Sequence, residues 1–420
     1  MGNSGSLLFL LILSLFSLML SWYVFQALRT IITQWDNPTV RISVSIGYWL
    51  LSGLYIILTV LSFLTISRTG KIAGYPQMGI NLFLTVTVSQ FTVIVFLLGE
   101  DFVRGIQGAV NYLTGNLSPS ERYIPQRRKF ISQMALIAAS IPFAGFVYGV
   151  FRGKYNFKVF RETIYFEDLP EAFDGFTITQ LSDIHAGSFK DVAAVSKGIN
   201  LAKQQQSDLV VFTGDLINVA ADEVSPFIDI IKEIKAPYGQ FSVLGNHDYG
   251  DYTQWPTPED KVNNFNQLKS SHAKMGFRLM LDEHVTIEKD GARLQLLGVE
   301  NWGLGFKSKG DLDKALGGVQ EKEFKILLSH DPTHWDAVAK THPSNIHLTL
   351  SGHTHGMQMV VETPFGRWSP AKYRYPHWAG LAEEAGRYLY VNRGFGFHAF
   401  AGRVGIWPEV TVITLKKKLA

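Results

Sequence analysis

Two histidines stand one residue apart in the stretch LSGHTHGMQ, Leu350 to Gln358, directly after the apolar run IHLTL. The glycines beside His353 and His355 let the backbone come close to a bound group, and both imidazoles can turn to one side of the chain. A metal ion is the group that this arrangement favours. The alternative interpretation of the same stretch is a polar turn that closes a strand.

Four further polar clusters follow apolar runs in the second part of the chain. They are Asp183 with His185, Asp215, Asn246 with His247 and Asp248, and His330. One Asp or His after a strand is commonly a turn or cap residue. Five clusters that offer only oxygen and nitrogen donors instead indicate a divalent-metal site. The chain has no cysteine, so thiolate ligands and disulfide bonds are excluded.

Short strands and helices alternate from about Lys154 onward, and they are the elements that must position these clusters. FTITQLSDIH and DLVVFTGDLIN are typical of strands that end in polar residues, and VAAVSKGINLAKQQQ is typical of an amphipathic helix between them. Similar strands are predicted at GQFSVLGNHDYG, FKILLSHD and IHLTLSGHTHG. Because such strands end at a common rim of a sheet, the polar clusters are expected to meet there.

The ordered motifs DIH, GDLIN, GNHD, SHD and GHTH resemble those of the calcineurin-like metallophosphoesterase superfamily. GHTHGMQ together with the closing YVNRGFG is similar to the membrane-associated bacterial branch of that superfamily, and the resemblance covers roughly residues 176–415. It implies an α/β fold of four layers, in which two mixed β-sheets pack face to face and are flanked by helices. Residues 154–420 are predicted to form this phosphoesterase domain.

The resemblance also implies a role for each matching residue. One metal ion is expected at Asp183, His185 and His355, the other at Asn246, His330 and His353, with Asp215 as the bridging carboxylate, His247 as the catalytic histidine beside the leaving group, and Asp248 as the partner that orients His247. Two divalent cations about 3.5–4 Å apart can share a hydroxide that attacks phosphorus. Mn, Zn, Fe and Co all accept this donor set.

Two positions depart from the family pattern. The last acid of the second motif is replaced by Asn218, which is expected to tune the site without removing a ligand. The bacterial branch commonly has a glycine where this chain has Met357, and the larger side chain is expected to narrow the loop.

The first third of the chain predicts a transmembrane region over residues 1–153. Four apolar segments are each long enough to cross about 30 Å of hydrocarbon as a helix, namely about 7–28, 42–66, 80–98 and 131–151. None carries an acid, Lys or Arg before its end, which makes a transporter with a polar pathway improbable.

An even number of spans puts the start of the chain and the phosphoesterase domain on the same face of the membrane. Lys and Arg are shared almost equally between the two faces, so they do not decide the orientation. QRRKFIS, Gln126 to Ser132, resembles a twin-arginine export signal ahead of the fourth span. This favours a multi-pass protein of the inner (plasma) membrane with an external, periplasmic catalytic domain. The alternative interpretation is an ordinary basic cluster at a membrane flank.

Taken together, these features favour a membrane-anchored, binuclear-metal phosphohydrolase, a metal-dependent phosphoesterase that cleaves a phosphoester or pyrophosphate by metal-activated hydroxide. Its predicted partners are a phosphoester substrate, with lipid-linked compounds as the favoured class, and membrane lipids. The formal net charge of +3 does not indicate a specific nucleic-acid partner, and no oligomeric state is predicted. One alternative is a non-catalytic metal-binding sensor or scaffold on a membrane anchor. An alternative enzyme is a UDP-diacylglucosamine or phospholipid-type pyrophosphatase.

Other candidate groups fit no motif position. Surface or core positions are expected for His272, His284, His334, His342, His347, His377 and His398. Arg393 and Arg403 are interpreted either as phosphate contacts or as ordinary salt-bridge partners. GFGFHA, from Gly394, formally fits a dinucleotide-binding fingerprint, but no amphipathic helix is predicted after it, so that interpretation is rejected.

Overall fold

The chain forms two compact units, Met1–Val150 and Phe151–Ala420. The computed structural model describes residues 3–70, 72, 74–114, 125–306, 308–364 and 366–418. Each unit has an apolar core of its own.

The first unit consists of long helices. They are α1 (Asn3–Ile32), α2 (Pro38–Thr69), α3 (Tyr75–Leu113) and α4 (Pro125–Phe151), the last of which ends at the boundary between the units. By length and composition, four helices in the described part of the chain could cross a membrane, which confirms the predicted four apolar helices. Each helix is longer than the apolar segment that predicted it, because backbone hydrogen bonding continues beyond the hydrocarbon limit into polar sequence.

Polar side chains inside this unit hydrogen-bond to one another between helices. Gln90 Nε2 donates to Ser21 Oγ at 3.0 Å, Tyr48 Oη donates to the carbonyl of Ser21 at 2.6 Å, and Tyr55 Oη lies 3.1 Å from Thr87 Oγ1. Interhelical hydrogen bonds of this kind stabilise helix association in lipid, where polar groups have no water to bind. The large apolar side chains on the outer faces of the helices are exposed, as expected of a lipid-facing surface.

The arginine pair of the predicted export signal contacts two acids of α3. Arg127 lies 3.5 Å from Glu100, and Arg128 lies 3.7 Å from Asp101. Glu100 is buried, and it follows the apolar segment of α3 by two positions. A buried carboxylate needs a partner, so the pair has a structural role whether or not it also serves in export.

The second unit contains two six-stranded mixed sheets. The first sheet has the order β1-β14-β2-β3-β4-β5 and is formed by β1 (Lys158–Phe166), β2 (Thr177–Leu181), β3 (Leu209–Thr213), β4 (Gln240–Val243), β5 (Arg278–Leu279) and β14 (Glu409–Lys417). The second has the order β12-β13-β9-β8-β7-β6 and is formed by β6 (Glu283–Lys289), β7 (Ala292–Gly298), β8 (Phe324–Leu328), β9 (Leu348–Ser351), β12 (Gly380–Glu384) and β13 (Arg387–Val391). A separate hairpin joins β10 (Val361–Thr363) to β11 (Gly366–Trp368).

Most neighbouring strands in the two sheets run parallel. In the first sheet β2, β3, β4 and β5 pair in parallel, and in the second β7, β8, β9 and β13 do so. Antiparallel pairs place β14 against β2, β6 against β7 and β12 against β13. Loops that follow neighbouring parallel strands therefore leave from the same edge of each sheet.

The strands divide their side chains between two apolar layers. In β3, Leu209 and Val211 face a core shared with Phe324 and Leu348 of the second sheet. Val210 and Phe212, one residue out of step, face a core that includes residues of α5 (Val192–Lys203), α6 (Ile228–Ile231) and α7 (Pro258–Lys274). A third core covers the far face of the second sheet with residues of α8 (Leu312–Ala315) and α9 (Thr333–Ala337). The predicted four layers, helices outside two facing sheets, are confirmed.

His272 is one of the histidines predicted to be structural, and the structure places it in the core on α7. It is fully buried, and neither ring nitrogen has a hydrogen-bond partner among the residues described. The nearest aromatic contact is Phe212, with ring centroids 6.0 Å apart. Burial lowers the pKa of His272 to about 4 because the surroundings cannot solvate a charged imidazolium.

His272 therefore makes the stability of the chain depend on pH. An unfolded histidine has a pKa near 6.5, so between pH 6.5 and pH 4 the unfolded chain binds more protons than the folded one. Stability is lost as the pH falls through this window. From pH 7 to pH 5 we expect His272 alone to lower the free energy of unfolding by about 2 kcal/mol. In denaturant unfolding followed by tryptophan fluorescence, His272→Phe should show a correspondingly smaller loss. Equal losses in the two proteins would contradict this account.

Candidate metal centre

The five predicted clusters follow the carboxyl ends of five inner strands. Asp183 and His185 come after β2, Asp215 after β3 and Asn246 after β4, all in the first sheet. His330 comes after β8, and His353 with His355 after β9, in the second sheet. Since the two sheets pack face to face, the ends of their parallel strands bring these side chains to one rim, as the sequence predicted.

Asp215 belongs to one of two groups of side chains at this rim and lies next to the other. Its Oδ2 atom is 3.2 Å from His330 Nε2 and 3.5 Å from His185 Nε2. One group is Asp183, His185 and His355, and the other is Asp215, His330 and His353; within each, the potential ligand atoms lie within 4.8 Å of one another. The first group contains the three residues predicted for one metal ion, and the second contains two of those predicted for the other, His330 and His353, together with Asp215. Asn246, predicted at the second position, follows β4 at the same rim.

Two of the imidazoles are held by a hydrogen bond from the ring nitrogen that faces away from this centre. His330 Nδ1 donates to the carbonyl of Thr213 at 2.7 Å, and His185 Nδ1 donates to Asn218 Oδ1 at 2.9 Å. Each bond fixes a proton on Nδ1 and leaves Nε2 as the nitrogen that can bind a cation. A ligating histidine in metalloproteins is normally held in this way.

Two atoms of predicted ligands are aimed into the centre. Asn246 Oδ1 is buried without a hydrogen-bond partner among the residues described, and His355 Nε2 lies 3.3 Å from Asp183 Oδ1. The Asn246 amide is oriented by Nδ2, which donates to Tyr252 Oη at 2.8 Å. Buried polar atoms are seldom left unpaired, and an amide oxygen and an imidazole nitrogen are suitable ligands for a divalent cation. The residues present therefore fit a divalent metal centre.

Burial and charge act against each other on the acids and histidines of the centre. Burial raises the pKa of Asp215, but the facing charges of His330 and His247 outweigh it and hold the pKa well below its usual range. Burial lowers the pKa of His330, yet the Asp215 carboxylate more than reverses this and raises the pKa to about 10. Burial lowers the pKa of His353 to about 4. Asp215 is therefore ionised, and a cation bound at His330 would displace a proton.

Five of the predicted ligands have backbone conformations that side chains rarely adopt. Asp183, His185, Asp215, His353 and His355 have φ angles between 48° and 71°. They account for five of the twelve non-glycine residues with positive φ in the described part of the chain. Strain of this kind concentrates at functional sites, because the surrounding fold must hold it in place.

His247 lies beside the centre, but its partner differs from the prediction. His247 Nδ1 donates to the carbonyl of Asn218 at 2.9 Å, and its peptide N–H donates to Asp215 Oδ1 at 2.8 Å. Asp248, the expected orienting partner, is fully buried and has no hydrogen bond to the His247 ring among the contacts described. Its carboxylate instead accepts backbone N–H bonds from Gly245, Asp215, Leu216 and Ile217. Four backbone donors turn the carboxylate away from the ring, so Asp248 joins the loops after β3 and β4.

Neither arginine of the closing segment is available to a substrate. Arg393 pairs with Glu409 at 2.6 Å. Arg403 is fully buried; it donates to the carbonyls of Gly394 and Gly396, and its Nη2 lies 3.2 Å from His355 Nδ1. Because a guanidinium only donates, this contact favours a His355 ring with its proton on Nε2, and that proton must leave before Nε2 binds a cation.

His398 belongs to the site, although the sequence assigned it a surface or core position. Its ring stacks on His185 with centroids 5.0 Å apart and lies 4.4 Å from the ring of His247. Burial lowers its pKa to about 3. The position of His398 in the sequence could have predicted this. GFGFHA follows β13, which runs parallel to β9, so the segment begins at the same rim as the loop after β9.

Gln358, the last residue of the stretch Leu350 to Gln358, holds the segment that carries His398 through three hydrogen bonds. Its Nε2 donates to the carbonyls of Phe400 and Gly402, at 2.5 and 2.9 Å. Its Oε1 accepts the backbone N–H of His398 at 2.7 Å. One buried amide thus joins the loop after β9 to the segment after β13. Met357 beside it has φ 45°, so this chain keeps a left-handed conformation where the bacterial branch commonly has glycine.

Matches to known proteins cover both units. Residues 6–154 match a family model described as "Probable Calcineurin-like phosphoesterase, transmembrane domain", and residues 176–357 match the model "Calcineurin-like phosphoesterase". The uncharacterized metallophosphoesterase YkuE of Bacillus subtilis is 31% identical over 297 residues, which are 69% of this chain and 97% of the relative. An uncharacterized metallophosphoesterase of Aquifex aeolicus is 28% identical, over 63% of this chain and 94% of its own length.

A vertebrate relative combines the same two elements in its name. The "transmembrane protein with metallophosphoesterase domain" of Danio rerio is 28% identical over 275 residues, 64% of this chain and 60% of the relative. The resemblance predicted from the five motifs is thus confirmed.

Gln358 is expected to stabilise the site through its three hydrogen bonds. In Gln358→Leu, two carbonyls and one N–H lose their partner in a buried setting, and we expect the free energy of unfolding to fall by about 3 kcal/mol. Gln204→Leu, on an exposed position at the end of α5, should change it by less than about 0.5 kcal/mol. Denaturant unfolding of both variants tests the difference, and similar values would show that Gln358 is not a structural tie.

Proposed function

Because the chain belongs to the calcineurin-like metallophosphoesterase family, we propose that it is a membrane-anchored phosphohydrolase that cleaves a phosphoester or pyrophosphate with two divalent cations. The single observation that carries the proposal is the position of Asp215. Its carboxylate lies 3.2 Å from His330 and 3.5 Å from His185, one residue from each of the two ligand groups. A carboxylate with two oxygens can serve two cations at once, which is what a binuclear site requires.

The donor set assigns residues to each cation. Asp183, His185 and His355 would hold the first, Asn246, His330 and His353 the second, and Asp215 both. Two cations, when bound, supply Lewis acidity that lowers the pKa of a coordinated water and stabilises charge on the phosphoryl oxygens. Mn, Zn, Fe and Co remain the candidates, because mixed imidazole, carboxylate and amide donors suit all four.

In the proposed reaction, His247 acts on the leaving group. Its Nδ1–H is held by the Asn218 carbonyl, which directs Nε2 away from that bond, and its ring stacks on Tyr252 with centroids 4.3 Å apart. A proton carried on Nε2 would pass to the departing alkoxide. Asp248 contributes by holding the loops that carry Asp215 and His247 in register, so it is a positioning residue.

A cleft beside Asn246 is the proposed place for the organic part of the substrate. Its volume is about 300 Å³, and Tyr252, Asn301 and Phe306 are among the residues that line it. Phe306 also packs edge-on against His353, with centroids 4.9 Å apart, so the cleft adjoins the second cation position. Its polar and aromatic lining suits a compact polar group next to phosphorus. The four apolar helices favour a substrate in which such a group is attached to a lipid chain.

The proposed location is the inner (plasma) membrane, with the catalytic unit on the external face. The support is the arginine pair at Arg127 and Arg128, which resembles an export signal ahead of the fourth span. A substrate made inside the cell, such as UDP-diacylglucosamine, would not suit this placement.

Activity should depend on the bridging carboxylate. We expect the full chain in detergent micelles, stripped of metal and then given Mn or Zn, to hydrolyse at least one of three probes: a generic diester, a monoester or a lipid-linked pyrophosphate. Asp215→Ala should lower turnover roughly 100-fold or more, because neither cation keeps its shared ligand. His247→Gln should lower it roughly 100-fold while bound metal stays near the wild-type level.

A matched carboxylate away from the site provides the control. The side chain of Asp313 is 90% exposed, and Asp313→Ala should keep turnover within about twofold of wild type. A fully active Asp215→Ala protein would refute the site assignment. Two bound metals without turnover on any probe would instead favour the sensor or scaffold interpretation.

The proposed orientation can be measured because the chain has no cysteine. Glu171 has a side chain 83% exposed, so Glu171→Cys gives one labelling site on the second unit. In bacterial spheroplasts we expect a membrane-impermeant maleimide to label it before lysis. Adding R127K and R128K keeps both charges but removes the arginine pair, and labelling should be lost if export uses that signal. Labelling only after lysis in the parent would place the unit inside.

A further inference from the structure

Three imidazoles form a second cluster beside the proposed binuclear centre. They belong to His185, His247 and His398, and the potential ligand atoms of the three lie within 4.8 Å of one another. The rings of His185 and His247 are 4.9 Å apart, and both contact the ring of His398. Only His185 is shared with the ligand groups described above.

Asn218 faces all three rings with an acceptor oxygen. Its Oδ1 lies 2.9 Å from His185 Nδ1 and 3.4 Å from His398 Nδ1, and its backbone carbonyl lies 2.9 Å from His247 Nδ1. Asn218 Nδ2 donates to Ser188 Oγ at 3.0 Å, on the side away from the rings that Oδ1 faces. Carbonyl oxygens only accept, so each neutral ring keeps its proton on Nδ1.

This arrangement gives the three rings the same tautomer. A neutral imidazole with its proton on Nδ1 presents a lone pair at Nε2, and such a nitrogen is the commonest metal ligand among side chains. An asparagine at position 218 also adds no negative charge that would favour protonated rings. The replacement of the second motif's last acid by Asn218 therefore favours neutral rings at His247 and His398 as well as at the predicted ligand His185.

The third ring is held in place by buried contacts. The backbone N–H of His398 donates to Gln358 Oε1 at 2.7 Å, and Gln358 is itself anchored to Phe400 and Gly402. The stack on His185, 27° from coplanar, fixes the ring from the other side. His398 is thus a built part of the rim and not a mobile surface residue.

We propose that His247 and His398, together with His185, form a third cation position that takes a nitrogen-preferring divalent cation such as Zn²⁺ and inhibits the enzyme when it is filled. The binding part of this inference stands on the three rings and Asn218. The inhibitory part rests on the proposed function, in which His247 Nε2 serves the leaving group. A cation on that nitrogen removes its lone pair and blocks its proton transfer.

Sharing of His185 makes the third position weaker than the first two. One Nε2 lone pair serves one cation at a time, so when the first position is filled the third retains His247 and His398 and completes its shell with water. Two imidazoles without a carboxylate suit Zn²⁺, Ni²⁺ or Cu²⁺, whereas Mn²⁺ prefers oxygen donors. Excess Zn²⁺ should therefore inhibit, and excess Mn²⁺ should not.

Zinc stoichiometry tests the position without reference to turnover. The metal-stripped full chain in micelles is dialysed against rising Zn²⁺, and bound zinc is counted by mass spectrometry. Wild type should reach three equivalents per chain, the third roughly tenfold or more weaker than the others, and His398→Phe should stop at two. Phenylalanine keeps the stacked ring and removes both nitrogens. His284→Phe, on β6 and bonded to the Ala315 carbonyl, is the matched control and should keep three.

A second variant protects the test against misfolding. If His398→Phe fails to fold, as judged by its thermal transition, His398→Gln serves in its place and should also stop at two equivalents. Two equivalents in wild type, or three in both folded variants, overturn the proposal.

Turnover then tests the inhibitory part. Excess Zn²⁺ should lower wild-type turnover roughly tenfold and that of His398→Phe less than about twofold, each relative to its own maximum. Equal inhibition in the two proteins overturns this part. If wild type hydrolyses no probe with any metal, the proposed function fails, and the zinc count alone still decides whether the third position exists.

Discussion

The buried carboxylate of Asp215 is the interaction on which the rest of the site depends. It is 2% exposed, and an ionised carboxylate taken from water into a protein interior costs several kcal/mol unless it is compensated. Compensation comes from both sheets: His330 lies 3.2 Å away on the second sheet, and the peptide N–H of His247 donates at 2.8 Å on the first. The negative charge between the two sheets is therefore stabilised by cationic or metal-binding groups that both sheets present at the same rim.

The two facing sheets provide the rigidity that this charge requires. Residues of β3 alternate between the core shared by the sheets and the core under the outer helices, so the strand cannot slip by one position without exposing apolar side chains. The loop after β3 is then tied to the loop after β4 by Asp248, which accepts backbone N–H groups from both. With the strand ends fixed in this way, five ligand positions can hold left-handed backbone.

Within the first unit, the polar contacts are those expected in a low-dielectric solvent. Gln90 and Ser21 pair across helices, and Glu100 lies against Arg127, because polar groups in lipid must find protein partners. The apolar sequence alone indicated spans and their number. The pairing partners depend on which helix faces meet, and that is a property of the packed bundle.

The residue types of the site could be predicted from the sequence. Apolar runs that end in Asp, Asn or His indicated strands with ligands at one rim, because the alternation of strand and helix permits few other arrangements. The structure brings the predicted residues together there, with Asp183, Asp215 and His330 as clear examples. These features are local in the chain, so periodicity and motif spacing could record them.

Tertiary structure alone decided which partners those residues meet. His398 stands 213 positions after His185 and stacks on it. The hydrogen bond from His247 Nδ1 is accepted by the Asn218 carbonyl and not by Asp248. The carboxylate of Asp248 adjoins His247 in sequence but is drawn away by four backbone N–H groups. Side-chain direction and long-range return of the chain follow from packing and backbone hydrogen bonding, which adjacency in sequence does not encode.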